Sequence, residues 1–290
     1  MEPVSHFFYS DRLKLQLWDY GQDGKPPLVL VHGGLDHARS WDWIARAFSP
    51  HYHVYAYDLR GHGNSAWAPG AMYSLPEHVL DLAVLAGIVG EDVPLRLVGH
   101  SLGGMIVLHY AGLYPAKVLS VVSIEGIGFP AQHNIHGPAS ESLRRWIEAV
   151  RAMDSRTPRS YSGPDEAAAR MREANPRLSE EVARHLTLHG TNWNGDGSIS
   201  WKFDNFIRAL SPPGHDLEDT AEIFSHITAP TLFFWGLKSF APLPDHDPRY
   251  EAVPHKRLVI APEAGHWVHH DELELVVRET LEHLDLSKRA

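Results

Sequence analysis

A serine flanked by glycines, Gly99-His100-Ser101-Leu102-Gly103, lies between an apolar run, Leu95 to Val98, and an amphipathic run, Met105 to Tyr114. Gly-x-Ser-x-Gly between a strand and a helix describes a sharp turn that pushes a strained serine hydroxyl out above a sheet. The amides that open the helix face the same spot and favour a developing negative charge there. A Gly-rich turn with a serine N-cap fits the same residues, so the reading depends on a base and oxyanion donors elsewhere in the chain. His266, in Pro262-Glu263-Ala264-Gly265-His266-Trp267, supplies an imidazole able to take the serine proton and return it to a leaving group. An oxyanion hole needs two backbone N–H groups aimed at one point. Leu102 N–H, directly after the serine, is one candidate, and Gly34 N–H in His32-Gly33-Gly34 is the other.

These residues can meet only if the chain brings them to one rim. Leu28 to Val31 is a short continuous apolar run, as expected of a strand covered on both faces, and it ends at His32. His53 to Tyr57, Leu95 to Val98, Val118 to Ile124, Thr231 to Trp235 and Leu258 to Ile260 read as further strands, with Phe7 to Tyr9 and Leu13 to Tyr20 as an edge pair. Ser40 to Phe48, Pro76 to Val89 and Leu273 to Leu284 read as helices between or after them. Alternating strand and helix calls for an α/β protein with a mostly parallel central sheet flanked by helices. In such a sheet the loops beyond the C-terminal strand ends share one rim, and Ser101, His266 and Gly34 all follow strands.

The alternation breaks after Gly126. Gln132 to Pro138 is polar and irregular, followed by three helical stretches, Ser140–Met153, Pro164–Ala174 and Ser179–Leu188, and a possible short strand, Ile199 to Phe203. The chain is therefore divided into a first core segment, 1–127, a helical cap insertion, 128–225, and a second core segment, 226–290. Trp146, Trp193, Trp201, Phe203 and Phe206 either pack this insertion on the core or roof an apolar pocket.

Composition narrows the partners. A formal charge of −10 argues against nucleic acid and anionic membranes, which want a basic surface. The absence of cysteine excludes disulfides, thiolate metal sites and a cysteine nucleophile. The start, Met1-Glu2-Pro3-Val4, reads as no secretory leader, and no apolar run approaches the ~20 residues that span a bilayer, so a soluble cytoplasmic protein is expected. Histidine is abundant at 21 residues, but none of its clusters has zinc-type spacing, so no metal is expected.

His32-Gly33-Gly34-Leu35-Asp36, Asp58-Leu59-Arg60-Gly61-His62-Gly63-Asn64-Ser65, Gly99-His100-Ser101-Leu102-Gly103-Gly104 and Gly265-His266-Trp267 occur in one order. In that order the chain resembles the α/β-hydrolase fold superfamily, and within it serine-hydrolase-like proteins. The resemblance covers both core segments and implies that fold, a serine nucleophile and no cofactor. Haloalkane dehalogenases and epoxide hydrolases of this fold would carry aspartate at position 101. Many relatives place the third member of the triad, an aspartate, in a Gly-x-x-Asp turn after the strand that corresponds to Thr231–Trp235. Here that turn reads Gly236-Leu237-Lys238-Ser239, and Ser239 cannot hold a charge. Glu125, which ends the Val118–Ile124 strand, is the leading replacement, because an unpaired carboxylate beneath an insertion is costly. Asp245 and Asp247, further along the loop, are the alternatives. The acid would hold the imidazole tautomer and stabilise imidazolium. Asp58 and Arg60 read as loop ties, and Asp36 and His37 as either substrate-facing or surface turn.

The resulting expectation is a serine hydrolase that acts on a small-molecule acyl substrate, an ester first. Ser101, His266 and Glu125 form its triad, and Gly34 and Leu102 its oxyanion hole. Carbon–carbon bond, lactone or amide hydrolysis, a cofactor-free lyase and a binding protein without catalysis are the rival readings. The oligomeric state is not legible.

Overall fold

The computed structural model describes residues 2–21, 23–90, 93–128, 138–211 and 216–286. Eight strands form one sheet: β1 (Val4–Ser10), β2 (Leu13–Asp19), β3 (Pro27–Val31), β4 (His53–Tyr57), β5 (Leu95–His100), β6 (Val118–Ile124), β10 (Thr231–Gly236) and β11 (Lys256–Ala261). Their order across the sheet is β1-β2-β4-β3-β5-β6-β10-β11. Only β2 runs against its neighbours, and every pair from β4 to β11 is parallel.

Parallel strands are covered on both faces, so their residues alternate between two cores rather than between core and water. Val29, Val31, Leu97, Val121 and Phe233 face one core, which α2 (Leu75–Val89) and α3 (Leu102–Leu113) cover. Leu28, Leu30, Val98, Val122, Leu232 and Phe234 face the other, covered by α1 (Asp42–Phe48) and α10 (Leu273–Leu286). The sequence places Ser40 to Phe48 in one helix. Its first turn is instead a tight 3-10 turn, Ala38–Trp41, that leads into α1.

Between β6 and β10 lie α4 (Ala139–Asp154), α5 (Pro164–Ala174), α6 (Glu180–Gly190) and a small antiparallel sheet in the order β7 (Ser160–Tyr161), β9 (Ile199–Trp201), β8 (Thr191–Trp193). The insertion is therefore not purely helical. Strands of two or three residues are too short to show a period in sequence. The irregular stretch 132–138 lies, apart from Pro138, outside the described residues. A second correction concerns the far boundary at 225. Helix α7 (Leu217–Ser225) packs on α3, and its Phe224 is fully buried in the main core. Residues 217–225 thus belong with the core segment by packing, although they follow the insertion directly in sequence.

The insertion is fastened to three rim loops. His37 Nε2 donates to the Leu186 carbonyl at 2.9 Å. Tyr73 OH donates to Asp204 at 2.6 Å, and Asp204 N–H to the Gly61 carbonyl at 2.8 Å. Arg177 Nε donates to the Glu263 carbonyl at 3.1 Å. These anchors lie after β3, β4 and β11, so the insertion spans the rim from side to side. Trp201 and Phe203 stack within the insertion, their planes 8° apart, and Trp193 is exposed.

Candidate active site

The turn after β5 is as tight as its glycines suggest. Ser101 has φ +52° and ψ −115°, a conformation side chains rarely adopt. A Cβ on Gly99 would fall on the Gly103 carbonyl, and one on Gly103 would fall on the Val31 carbonyl. Only glycine lets β5, α3 and β3 approach so closely. Ser101 N–H is held by the Ile124 carbonyl at 2.9 Å, which pins the serine to the end of β6. Leu102 opens α3, so its N–H belongs to the first turn and has no partner within the helix.

The end of β6 carries Glu125, at φ +50°. Its carboxylate is fully buried, a costly position unless donors converge on it. Three do. Gly236 N–H donates to Oε1 at 2.7 Å, Ser239 Oγ donates to Oε2 at 2.5 Å, and His266 Nδ1 donates to Oε2 at 2.9 Å. Ser239, at the place of the absent aspartate, thus hydrogen-bonds the carboxylate that reaches the imidazole from the neighbouring strand. Topology permits the exchange, because β6 lies between β5 and β10. Because Nδ1 carries the proton shared with Glu125, Nε2 is left as the free base. Among the alternatives, Asp247 pairs with Arg249 at 2.6 Å and accepts from its backbone N–H. Asp245 is more than half exposed beside His246. Neither has a described contact with His266.

His266 is carried by the loop between β11 and the short helix α9 (Val268–Asp271). Gly265 N–H donates to Asp271 at 2.8 Å, and Lys238 N–H to the Ala264 carbonyl at 2.9 Å, which seats the loop on the turn after β10. His100 supports it from below. Its Nε2 donates to the His266 carbonyl at 3.0 Å, and the two rings lie 4.8 Å apart. Sequence reasoning missed this role, because His100 reads only as the variable residue of the serine motif. Phe240, 71% exposed, places its ring 4.8 Å from His266.

The loop after β3 is held by two neutral histidines. His32 Nε2 accepts Leu59 N–H at 2.9 Å, and His62 Nε2 accepts Leu35 N–H at 3.1 Å. Burial holds His32 well below the ordinary histidine range and brings His62 down to about 4, so both stay acceptors near neutral pH. Leu35, at φ +63°, turns the chain sharply after Gly34. Asp58 binds the same loop, accepting Ala38 N–H at 2.7 Å and Asn64 N–H at 2.8 Å. Arg60 forms a buried two-point pair with Asp81, both contacts at 2.7 Å. Asp58 and Arg60 are therefore loop ties, as their types suggest.

The rim thus carries a strained serine turn, a histidine bonded to a buried carboxylate, and the Gly34 and Leu102 backbone after β3 and β5; among the described contacts no hydrogen bond joins Ser101 to His266. Serine, histidine and carboxylate are the residue types that nucleophilic attack with proton relay employs. The sequence profile of a family described as alpha/beta hydrolase fold matches residues 26–273. Lipase LipV of Mycobacterium tuberculosis is 34% identical over 39% of this chain and 42% of its own length. The chain spans about two fifths of the length of that lipase and of the monoacylglycerol lipase of Mycolicibacterium smegmatis. A serine hydrolase-like protein of Danio rerio is 27% identical over 80% of this chain and 72% of its own. The solved thioesterase domain from the curacin biosynthetic pathway superposes with a TM-score of 0.84, at 26% identity, covering 97% of this chain and all of that domain.

Proposed function

The chain belongs to the alpha/beta hydrolase fold family, and from that membership we propose that it is a serine hydrolase cleaving a carboxylic ester or related acyl substrate through an acyl-enzyme. Ser101 Oγ attacks the acyl carbonyl while His266 Nε2 takes its proton. Glu125 stabilises the imidazolium through Nδ1–H and keeps the ring in the useful tautomer. Gly34 and Leu102 N–H groups stabilise the tetrahedral oxyanion. Collapse expels the alcohol with the proton from His266. Water, deprotonated by His266, then releases the carboxylic acid and restores Ser101. The insertion acts as a cap over this rim, with Phe240 giving the entrance an apolar edge.

The observation that carries the reading is the 2.9 Å contact of the fully buried Glu125 carboxylate with His266 Nδ1, one strand away from the serine turn. A carboxylate, an imidazole and a strained serine have no structural need of one another at a loop rim, and the relay explains all three. The lipase, serine hydrolase-like and thioesterase names of the relatives point to acyl transfer to water, which is the chemistry assigned here. The test is hydrolysis of p-nitrophenyl esters of increasing acyl length. Wild type should turn over at least one, and Ser101→Ala should lose the activity while melting normally. Equal turnover by Ser101→Ala would refute the assignment.

A further inference from the structure

We propose that Asp36, His100 and His269 form a site for one divalent transition-metal cation, and that its occupancy reversibly switches hydrolysis off. The three side chains come from the loop after β3, the last residue of β5 and α9, and each can offer one donor atom such that all lie within 4.8 Å of one another. A tetrahedral site with metal–nitrogen and metal–oxygen bonds of about 2.0–2.2 Å separates its donors by roughly 3.5 Å. The group therefore needs to close by about an ångström.

The hydrogen bonding of these groups is what distinguishes them from an ordinary polar cluster. His100 is 2% exposed and spends Nε2–H on the His266 carbonyl. Its Nδ1 is therefore a bare lone pair, buried and without a hydrogen-bond partner. His269 is 1% exposed, and neither of its ring nitrogens has a partner. Asp36 uses Oδ1 to accept His37 N–H at 2.8 Å and has the Ser40 hydroxyl beside its carboxylate, and its Oδ2 is buried with no close hydrogen bond. Leaving such atoms unmet costs free energy at each one, and native proteins rarely leave several together. A cation meets one of them on each side chain at once, leaving the second His269 nitrogen as the one atom unmet. The supports of His100 and Asp36 match those of metal ligands, since a ligating histidine donates its other N–H to a carbonyl and a ligating carboxylate is itself hydrogen-bonded. Two imidazoles and one carboxylate suit zinc, cobalt, nickel or copper rather than magnesium or calcium, which prefer oxygen throughout. Asp36 is the part-exposed member of the group. The second such group, Asp42, His185 and His189, lacks this character. There Asp42 already accepts from Tyr20 and from Arg39 at 2.6–2.8 Å and is neutralised by the guanidinium.

The predicted effect on turnover rests on the serine-hydrolase reading, whereas the site itself does not. His100 precedes Ser101 and touches His266, with rings 4.8 Å apart. A bound dication on His100 would oppose the imidazolium that forms during attack, and a like charge at such range slows that step by about tenfold or more.

The experiment uses the full chain, stripped with EDTA and desalted, with Zn²⁺ binding read by calorimetry and Co²⁺ binding by its visible absorption. One Zn²⁺ per chain is expected, with Asp36→Asn and His269→Gln each weakening it about tenfold or more. His185→Gln, in the second group, should bind as wild type. Ester turnover by wild type should fall with occupancy and return with EDTA, and the two site variants should resist. The proposal is overturned by no binding, by binding that both site variants leave unchanged, or by occupancy that leaves turnover unaffected. Calorimetry decides the site even if the metal-free chain hydrolyses no ester, an outcome that would instead count against the hydrolase reading.

Discussion

Replacing Glu125 by glutamine isolates the charge and the acceptor geometry while keeping the shape. Three donors converge on the carboxylate: Gly236 N–H at 2.7 Å, Ser239 Oγ–H at 2.5 Å and His266 Nδ1–H at 2.9 Å. A glutamine has one oxygen and one NH₂. The backbone amide of Gly236 cannot turn away, so the oxygen stays on that side and the NH₂ faces Ser239 and His266. The serine hydroxyl can rotate and accept. The imidazole can accept only by moving its proton to Nε2, which removes the base from the side that must receive the Ser101 proton. The loss should therefore approach the cost of a wrong tautomer in a catalytic triad, about 10³–10⁴ in kcat/KM, or about 4–5.5 kcal/mol of transition-state stabilisation. Stability should change far less, by about 1–3 kcal/mol for imperfect pairing at one buried site. The assay is kcat/KM on the best p-nitrophenyl ester, alongside a melting curve. Asp245→Asn, at a half-exposed site, should stay within about twofold of wild type, as surface changes usually do. Adding Ser239→Asp to the glutamine variant should recover part of the rate by returning a carboxylate to the turn beside Nδ1. A Glu125→Gln enzyme within about tenfold of wild type, or an Asp245→Asn enzyme that collapses instead, would refute the reasoning.

The buried pair Arg60 and Asp81 should behave as a structural tie. Asp81→Asn should cost about 3 kcal/mol in chemical denaturation, the low end for a broken buried pair because Glu77 still holds the guanidinium at 3.2 Å, and Arg60→Met with Asp81→Leu should restore much of it. A single variant as stable as wild type would contradict that reading. Acid should unfold the protein early. His32, His62 and His78 are buried neutral beneath the loop after β3, and burial lowers all three, His62 to about 4. The unfolded chain takes up these protons below about pH 6.5 and the folded chain does not, so stability is complete above that pH and falls as pH drops toward 4. His62 alone costs about 2 kcal/mol at pH 5. Asp58 and Asp36, raised by burial and the latter to about 7, work in the opposite direction, but His37, brought down to about 3, joins the three imidazoles, and four against two carboxyls leave a net loss. The melting temperature should fall between pH 7 and pH 5, and a flat profile would contradict this.

The legible features were the local ones. Ser101 sits in five contiguous residues whose glycines are required by backbone contacts within the turn and with the neighbouring end of β3, and the core strands announce themselves as apolar runs. Glu125 was readable as a strand-end carboxylate because the usual aspartate is missing and a neighbouring strand end is the nearest replacement. Its partner Ser239 was not, since a serine in place of an acid reads as a loss. Only the pairing of β6 with β10 shows that its hydroxyl serves the relocated carboxylate. The loop-holding roles of His32, His62 and His100 depend on which nitrogen faces which backbone group, and sequence does not carry that. The same holds for Asp36, His100 and His269, which come together from three separate elements with no ligand spacing along the chain. The strands of the insertion are too short to signal themselves, and α7 looks like its continuation because helical periodicity does not say which core the apolar face meets.

The central claim is that Ser101 is an activated nucleophile driven by His266 and Glu125. Labelling the folded chain with a fluorophosphonate, followed by intact-mass and peptide analysis, tests it most directly. The account predicts a single adduct on the peptide containing Ser101. The adduct should be lost in Ser101→Ala and form far more slowly in His266→Ala and Glu125→Gln. No adduct on folded protein, or one that persists in Ser101→Ala, would contradict it.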